Sequence, residues 1–408
     1  MQTYSPEQAL AEAKREFGEH GGVTPSIARS STFTVMDPAI MPEIFGGIRG
    51  PENGGCFLYS RHFNPTVDIL ARYLAAIEGT EAAVCTASGM SAISCTLLQL
   101  CNSGDHIVAS DTIYGGTHAL LKELLPQLGI TATFVNISDL AAVEAAITDR
   151  TRILYAETLG NPTLKVADIP ALAGLARRRN LTFVVDNTFC PMMVTPARLG
   201  ADIVVYSLTK FINGASDLIA GAICTHKAMV HRLMDLHTGR IMLLGPTMDP
   251  RVAFDVIQRL PHLAIRMKEH SRRAAAIAEH LASLNVPVCY PGLSTHPQHE
   301  LFRHILNEGF GYGGMMTIDC GNQIKADALL SCLQNQEDFG YIAVSLGYFD
   351  TLMSCSSSTT SSEIDPKDQH SMGLSPGLVR LSIGLTGSLH TRIQQIDRAV
   401  KAVGLASA

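Results

Sequence analysis

The sequence predicts an α/β protein built on a mostly parallel central sheet covered by helices. An irregular N-terminal arm precedes that unit and a smaller α+β domain follows it. Three observations carry this prediction. Helical and strand-like stretches alternate from about residue 61 to 250. The strand-like runs are short and rich in apolar and β-branched residues, as strands buried on both faces require. Polar groups gather at the C-terminal ends of those runs, where open α/β sheets bind their ligands.

Composition sets outer bounds. The chain has 408 residues, 46% hydrophobic and 17% charged, which suits a large core and two or three domains. A formal net charge of −6 argues against a nucleic-acid surface. No stretch is long and apolar enough to span a bilayer. The opening Met1-Gln-Thr-Tyr-Ser-Pro-Glu7 lacks the basic and apolar regions of a signal peptide. Ten cysteines without CxxC pairs read as reduced thiols rather than a disulfide framework. A cytoplasmic protein without a metal site is the expectation.

Residues 1–60 are rich in Gly, Pro and Ser with little periodicity, and read as an extended arm. Its apolar residues need a cover, and a neighbouring subunit is one candidate. Residues 61–250 form the α/β unit. Helical patterns cover Val67 to Glu78 and Ala119 to Leu128. Strand-like runs are Ala82 to Thr86, His106 to Ser110, Ile153 to Glu157, Phe183 to Asp186 and Ile203 to Tyr206. Residues 251–408 form the α+β domain. It opens with a long helical pattern from Val252 to Leu284. Then come a strand-like Met315 to Asp319, a helix near Ala326 to Asn335 and a strand-like Leu378 to Ile383. The Ser/Thr-rich stretch Ser354 to Ser362 reads as a loop after a strand, bordering a site.

The chemistry converges on two strand ends. One apolar run ends in Asp186-Asn187-Thr188, the other in Ser207-Leu-Thr209-Lys210. An amine, a carboxylate and two hydroxyls at such an edge match the needs of pyridoxal phosphate (PLP). The lysine forms a Schiff base and the acid holds the pyridine nitrogen protonated. Thr86-Ala-Ser88-Gly89-Met90 follows a strand and opens a helix, offering N–H groups to a phosphate. Tyr114, after another strand, offers a ring to stack on a planar cofactor. Tyr59 and Arg61 offer a phenol and a guanidinium suited to phosphate. Each alone is more often a surface or core residue. Their arrival in one consistent α/β order carries the argument.

Other motif matches lack their structural context. Ser207-Leu-Thr-Lys210 fits S-x-x-K without the K-T-G strand that chemistry requires. Gly373-Leu-Ser375-Pro-Gly377 fits G-x-S-x-G, but a proline and a strand replace the elbow helix. Gly309-Phe-Gly311-Tyr-Gly-Gly314 leads into a strand, not a helix. His299-Glu300 with His304 misses the H-E-x-x-H spacing by one residue.

Taken together, these residues resemble the transsulfuration-type (Cys/Met metabolism) PLP-dependent enzymes. The matching stretches are Tyr59 to Thr66, Ala87 to Met90, Tyr114 to Thr117, Glu157 with Asn161-Pro162 and Val185 to Thr188. Ser207 to Lys210, Ala343 to Gly347 and Gly377 to Gly384 complete them. Gly245 to Arg251 and Ser345 to Cys355 resemble the methionine γ-lyase-like branch. The resemblance implies fold type I (aspartate-aminotransferase-like). It also implies α,γ-elimination of a γ-substituted L-amino acid, such as L-methionine to methanethiol, 2-oxobutyrate and ammonia. Its alternatives are a γ-replacement transferase (cystathionine γ-synthase or O-acetylhomoserine sulfhydrylase) and a γ-lyase for a polar substrate such as canavanine or cystathionine.

The resemblance also implies roles. Lys210 would hold the cofactor and then shuttle protons; Asp186 would pair with the pyridine nitrogen; Tyr114 would stack on the ring and assist the leaving group. Gly89, Met90, Ser207 and Thr209 would bind the phosphate, with Ser88, Glu157 and Thr188 also placed against the cofactor. Tyr59 and Arg61 would reach the neighbouring subunit's phosphate, in a homotetramer made of two dimers that share active sites. Arg380, Ser345 and Asn161 would clamp the substrate α-carboxylate. Three departures leave the substrate open. Gly116 replaces a cysteine, Ala215-Ser216 replaces His-Gly or His-Ser, and Cys355 to Ser361 replaces a His-Pro-Ala-Ser-Met-Thr-His stretch.

Overall fold

The computed structural model describes residues 4–14, 16–356 and 374–406. The larger sheet has seven strands: β1 (Ala82–Thr86), β2 (His106–Ser110), β3 (Thr131–Val135), β4 (Thr151–Glu157), β5 (Thr182–Asp186), β6 (Ile203–Ser207) and β7 (Gly221–Thr225). Their order is β1-β7-β6-β5-β4-β2-β3. Pairing is parallel except at β7, which runs antiparallel to both β1 and β6. This is the α/β architecture read from the sequence.

The apolar runs are continuous because alternate residues feed two cores. Leu154, Phe183, Val185 and Val204 enter one, shared with the helix Pro65–Glu78. Ile153, Val184, Ile203 and Val205 enter the other, shared with the helix Gly89–Leu100. The first core also takes Val256, Leu260, Leu263 and Met267, from beyond residue 250.

A second sheet of five strands lies toward the C-terminus: β8 (Val288–Cys289), β9 (Met315–Asp319), β10 (Tyr341–Ile342), β11 (Leu352–Cys355) and β12 (Leu378–Ser382), in the order β10-β11-β12-β9-β8. A third core joins it to the helices Leu263–Ser283, Gln323–Asn335 and Leu389–Ala402.

Two helical expectations change in detail. The pattern from Val252 to Leu284 is two helices, Pro250–Arg259 and Leu263–Ser283, joined by the tight turn Leu260–His262. Pro261 has no N–H to donate and its ring crowds the carbonyl four residues back, so the helix restarts there. The helix expected over Ala119 to Leu128 begins earlier, at Gly115. It passes through the wide turn Leu120–Leu124 just before Pro126, for the same reason.

Among the described residues from 16 to 60, regular structure is limited to short helical turns and one isolated bridge between Thr32 and Tyr59, and the apolar side chains Phe17, Val23, Met36 and Ile48 are largely exposed. Among the described residues no helix is long and apolar enough to cross a membrane. The Ser/Thr-rich stretch lies outside the described residues from 357 onward, as does Gly373.

Candidate active site

Strand register assembles the site. Glu157 pairs with Asp186 across β4 and β5, so two buried carboxyls stand side by side at one sheet edge. Thr86 of β1 and Ser207 of β6 both pair with Gly221 of β7, between them. That shared partner brings the Ser88–Gly89 turn onto Ser207. A Cβ on Gly89 would lie 2.7 Å from the Ser207 Cβ, so only glycine permits this approach.

Ser88 caps the helix Gly89–Leu100 and exchanges hydrogen bonds with Ser91, 3.1 Å each way. The first intrahelical bond runs from Ala92 N–H to Ser88 O, so the Gly89 and Met90 N–H groups lie ahead of it at the positive end of the helix dipole.

Lys210 lies in the turn after β6. Its Nζ donates to Ser345 Oγ at 2.8 Å. Burial, with the Arg380 charge nearby, lowers its pKa to about 8. Ser345 holds a positive φ of 106°, a strained conformation for a residue with a side chain. Its loop is pressed onto the lysine turn: a Cβ on Gly347 would lie 2.4 Å from Phe211 N.

Arg380, on β12, is buried. Its Nη1 donates to Asn161 Oδ1 at 2.9 Å and its Nη2 to Ser345 O at 3.1 Å. Burial lowers its pKa to about 10, while Tyr114 and Glu157 pull the other way. Glu157 accepts Tyr114 N–H at 2.7 Å on one oxygen and Asn161 N–H at 2.9 Å on the other. One hydrogen-bonded set therefore links Tyr114, Glu157, Asn161, Arg380, Ser345 and Lys210.

Asp186 accepts Thr188 N–H at 2.9 Å, and Thr188 Oγ1 accepts Ser207 N–H at 2.9 Å. Burial pushes the Asp186 carboxyl up; burial and then the Asp186 charge do the same to Glu157. Thr209 Oγ1 accepts Ala220 N–H at 3.0 Å and donates to Ala220 O at 3.3 Å, tying the lysine turn to the strand beside it.

Tyr59 and Arg61 stand apart from this set. Arg61 Nη1 donates to Met242 O at 2.9 Å, and its guanidinium lies 5.6 Å from the Tyr59 ring centre. Sequence reading also missed Arg266 and His270, whose helix face meets the backbone beside Lys210 and Arg380. Their spacing of four residues within a helical pattern was the available signal, but nothing in the pattern names what that face touches.

These residues fit PLP. The ring of Tyr114 is exposed and so open to a planar cofactor, a phosphate suits the cradle closed by Gly89 against Ser207, and a protonated ring nitrogen would draw the raised Asp186 carboxyl back to its charged form. Comparison with known proteins points the same way. Residues 7–397 match the family described as Cys/Met metabolism PLP-dependent enzyme. The chain is 54% identical to a methionine gamma-lyase of Arabidopsis thaliana over 97% of its own length and 90% of that protein's. It is 34% identical to an O-succinylhomoserine sulfhydrylase of Pseudomonas aeruginosa, covering 90% of this chain and 88% of that one. Among solved structures, an O-acetylhomoserine (thiol)-lyase of Campylobacter jejuni carrying a pyridoxyl-lysine adduct superposes with a TM-score of 0.89. Identity there is 26%, over 98% of this chain and all of that one. The chain belongs to the Cys/Met metabolism family of PLP-dependent enzymes and has its fold type I architecture.

Proposed function

We propose that this chain is a carbon–sulfur lyase that carries out α,γ-elimination, with L-methionine as lead substrate and methanethiol, 2-oxobutyrate and ammonia as products. The observation that carries the reading is the Lys210–Ser345–Arg380–Asn161 arrangement, a half-buried amine and a buried guanidinium held by one residue, Ser345, through its hydroxyl and its carbonyl. Its resemblance in sequence to the Arabidopsis methionine gamma-lyase supports the choice of substrate.

Bound PLP supplies an electron sink for the charge left when protons are removed from the substrate carbons. The chain supplies everything else. Asn161 and the Ser345 carbonyl fix the Arg380 fork, and its remaining N–H groups are suited to hold an α-carboxylate. A substrate so held presents Cα to Lys210 Nζ. With a pKa near 8, a good fraction of that amine is neutral at physiological pH; it can take a proton from Cα and, only after handing that proton on and becoming neutral again, take one from Cβ. Ser345 Oγ steadies the amine between transfers. Asp186 keeps the ring nitrogen protonated, and Glu157 fixes the segments that carry Tyr114 and Asn161. Ser88, Gly89, Met90, Ser207, Thr209 and Thr188 form the phosphate end. Tyr59 and Arg61 serve the site of a second subunit, in dimers that assemble into a tetramer in the cytoplasm. The exposed apolar arm, and an Arg61 that hydrogen-bonds Met242 O rather than any member of the set around Lys210, support the shared dimer site.

γ-Replacement is the second reading, favoured by similarity to the sulfhydrylase from Pseudomonas aeruginosa. Release of 2-oxobutyrate decides between them. Purified, PLP-loaded protein is given L-methionine, L-cystathionine, O-acetylhomoserine or L-canavanine, with and without cysteine. Oxo-acid from methionine alone supports the lyase. Consumption of acylated homoserine only when cysteine is present overturns it.

A further inference from the structure

Two buried side chains outside the site grip both of its halves. Arg266 and His270 lie one turn apart on the helix Leu263–Ser283, facing inward, and are 5% and 0% exposed. Arg266 Nη1 donates to Phe211 O, and Nη2 to Ile212 O at 2.8 Å. These carbonyls belong to the two residues directly after Lys210. Arg266 Nε donates to His262 Nδ1 at 2.9 Å, so the guanidinium is held from behind as well. His270 Nδ1 donates to Ile383 O at 2.6 Å. Ile383 directly follows the strand that carries Arg380, three residues on. The same imidazole packs edge-on against Phe211, with ring centres 5.2 Å apart at 79°.

A buried carbonyl accepts, so Nδ1 carries the proton. Burial, reinforced by the Arg266 and Arg273 charges, lowers this histidine to about 4, and it stays neutral throughout the working range.

We propose that Arg266 and His270 are positioning residues that set the distance between the Lys210 amine and the Arg380 guanidinium. This rests on the roles given to Lys210 and Arg380 above. Arg266 anchors the lysine turn and His270 anchors the arginine strand. Because both sit on one rigid helix turn, the separation of the two groups is fixed by helix geometry rather than by the loops between them. That separation matters chemically. The substrate carboxylate is held at one end and the proton to be removed lies at the other, so an error of about 1 Å costs on the order of 100-fold.

The test uses the PLP-loaded protein and four substitutions. His270→Phe keeps the ring and removes the donor; His270→Asn returns a donor near the Nδ1 position. Arg266→Met removes both carbonyl contacts; Arg266→Lys keeps one charge-assisted donor. Cofactor content and circular dichroism are measured first. The pH midpoint of the bound cofactor's visible absorption is then measured, which needs no substrate and therefore stands even if the proposed reaction is wrong. Kinetics with L-methionine follow. Fully loaded His270→Phe and Arg266→Met should move the midpoint by at least about half a pH unit and lower kcat by about 10- to 100-fold, with KM changed far less. His270→Asn and Arg266→Lys should recover most of both. An unchanged midpoint and kcat in loaded protein overturns the proposal. Losses that only track cofactor content or folded signal, with no recovery in the conservative pair, overturn it too.

Discussion

The two halves of the candidate site, one assigned here to the cofactor and one to the substrate, are built by different means. The cofactor half comes from strand ends of the larger sheet: Glu157 and Asp186 face each other because β4 and β5 pair in register, and Ser207 meets Gly89 because β1 and β6 share β7. The substrate half comes from β12 and an irregular loop. Arg380 and Ser345 take their places through hydrogen bonds to Asn161 and Lys210, and Ser345 holds a strained φ to do so. Backbone register needs no particular side chain to persist, whereas a hydrogen-bonded set fails when one member is lost. The same substitution chemistry should therefore have different consequences on the two sides.

The largest effect belongs to the cofactor half. Lys210→Ala should lower kcat/KM by about 10⁴-fold, because both proton transfers are assigned to this amine. Steady-state kinetics with matched cofactor loading measures it. Residual turnover within tenfold would remove Lys210 from the chemistry. On the substrate half, Arg380→Lys should act mainly on KM, raising it roughly 10- to 100-fold, since a point charge replaces a planar fork. A loss confined to kcat would break the contrast between the halves.

A third experiment asks whether one chain holds a whole site. If Arg61 serves a partner, Arg61→Ala and Lys210→Ala proteins, refolded together, should regain about a quarter of wild-type activity, because half the dimers then carry one intact site. No recovery in proven mixed dimers would place both residues in one chain's site.

The pH effects are smaller. Apoprotein should take up PLP covalently faster as pH rises from 6.5 to 9. The half-buried Lys210 amine loses its proton near pH 8, and only the neutral amine attacks an aldehyde. A stopped-flow rate that is flat across this range would contradict the lowered pKa.

Glu78 offers the smallest effect and a useful contrast. It is a buried carboxyl that accepts hydrogen bonds from Tyr206 OH and, at 3.0 Å, from Ala197 N–H, and burial raises it from 4.5 to about 8. A raised folded pKa gives stability that is complete below pH 4.5 and lost as pH rises through 8. Glu78→Gln should remove a slope of up to about 1.4 kcal/mol per pH unit across that window, read from denaturant unfolding.

The strand ends assigned to the cofactor were legible in the sequence as strand ends, and the residues assigned to the substrate were not. β-Branched runs ending in Asp186 and Lys210 declare buried strands with ligands at their ends, and those strands stand where the runs predicted. β3 escaped because it is an edge strand of mixed exposure, and β7 because Gly221-Ala-Ile-Cys-Thr225 is short and small-residued. Arg380 and Ser345 entered only through a family resemblance. Nothing local in Leu378–Ser382 or in the loop before it says that the two meet Lys210. Arg266 and His270 were hidden for the same reason, since a helical pattern shows which face is inward but not which carbonyls wait there.

The most direct test of the central claim follows deuterium. The PLP-loaded protein is given L-norleucine in D₂O; this analogue resembles methionine but has no γ-leaving group, so it can be deprotonated without being consumed. Proton NMR should show exchange at both Cα and Cβ in the wild type and at neither in Lys210→Ala. Exchange at Cα alone would mean that no proton leaves Cβ, and α,γ-elimination by Lys210 would be contradicted.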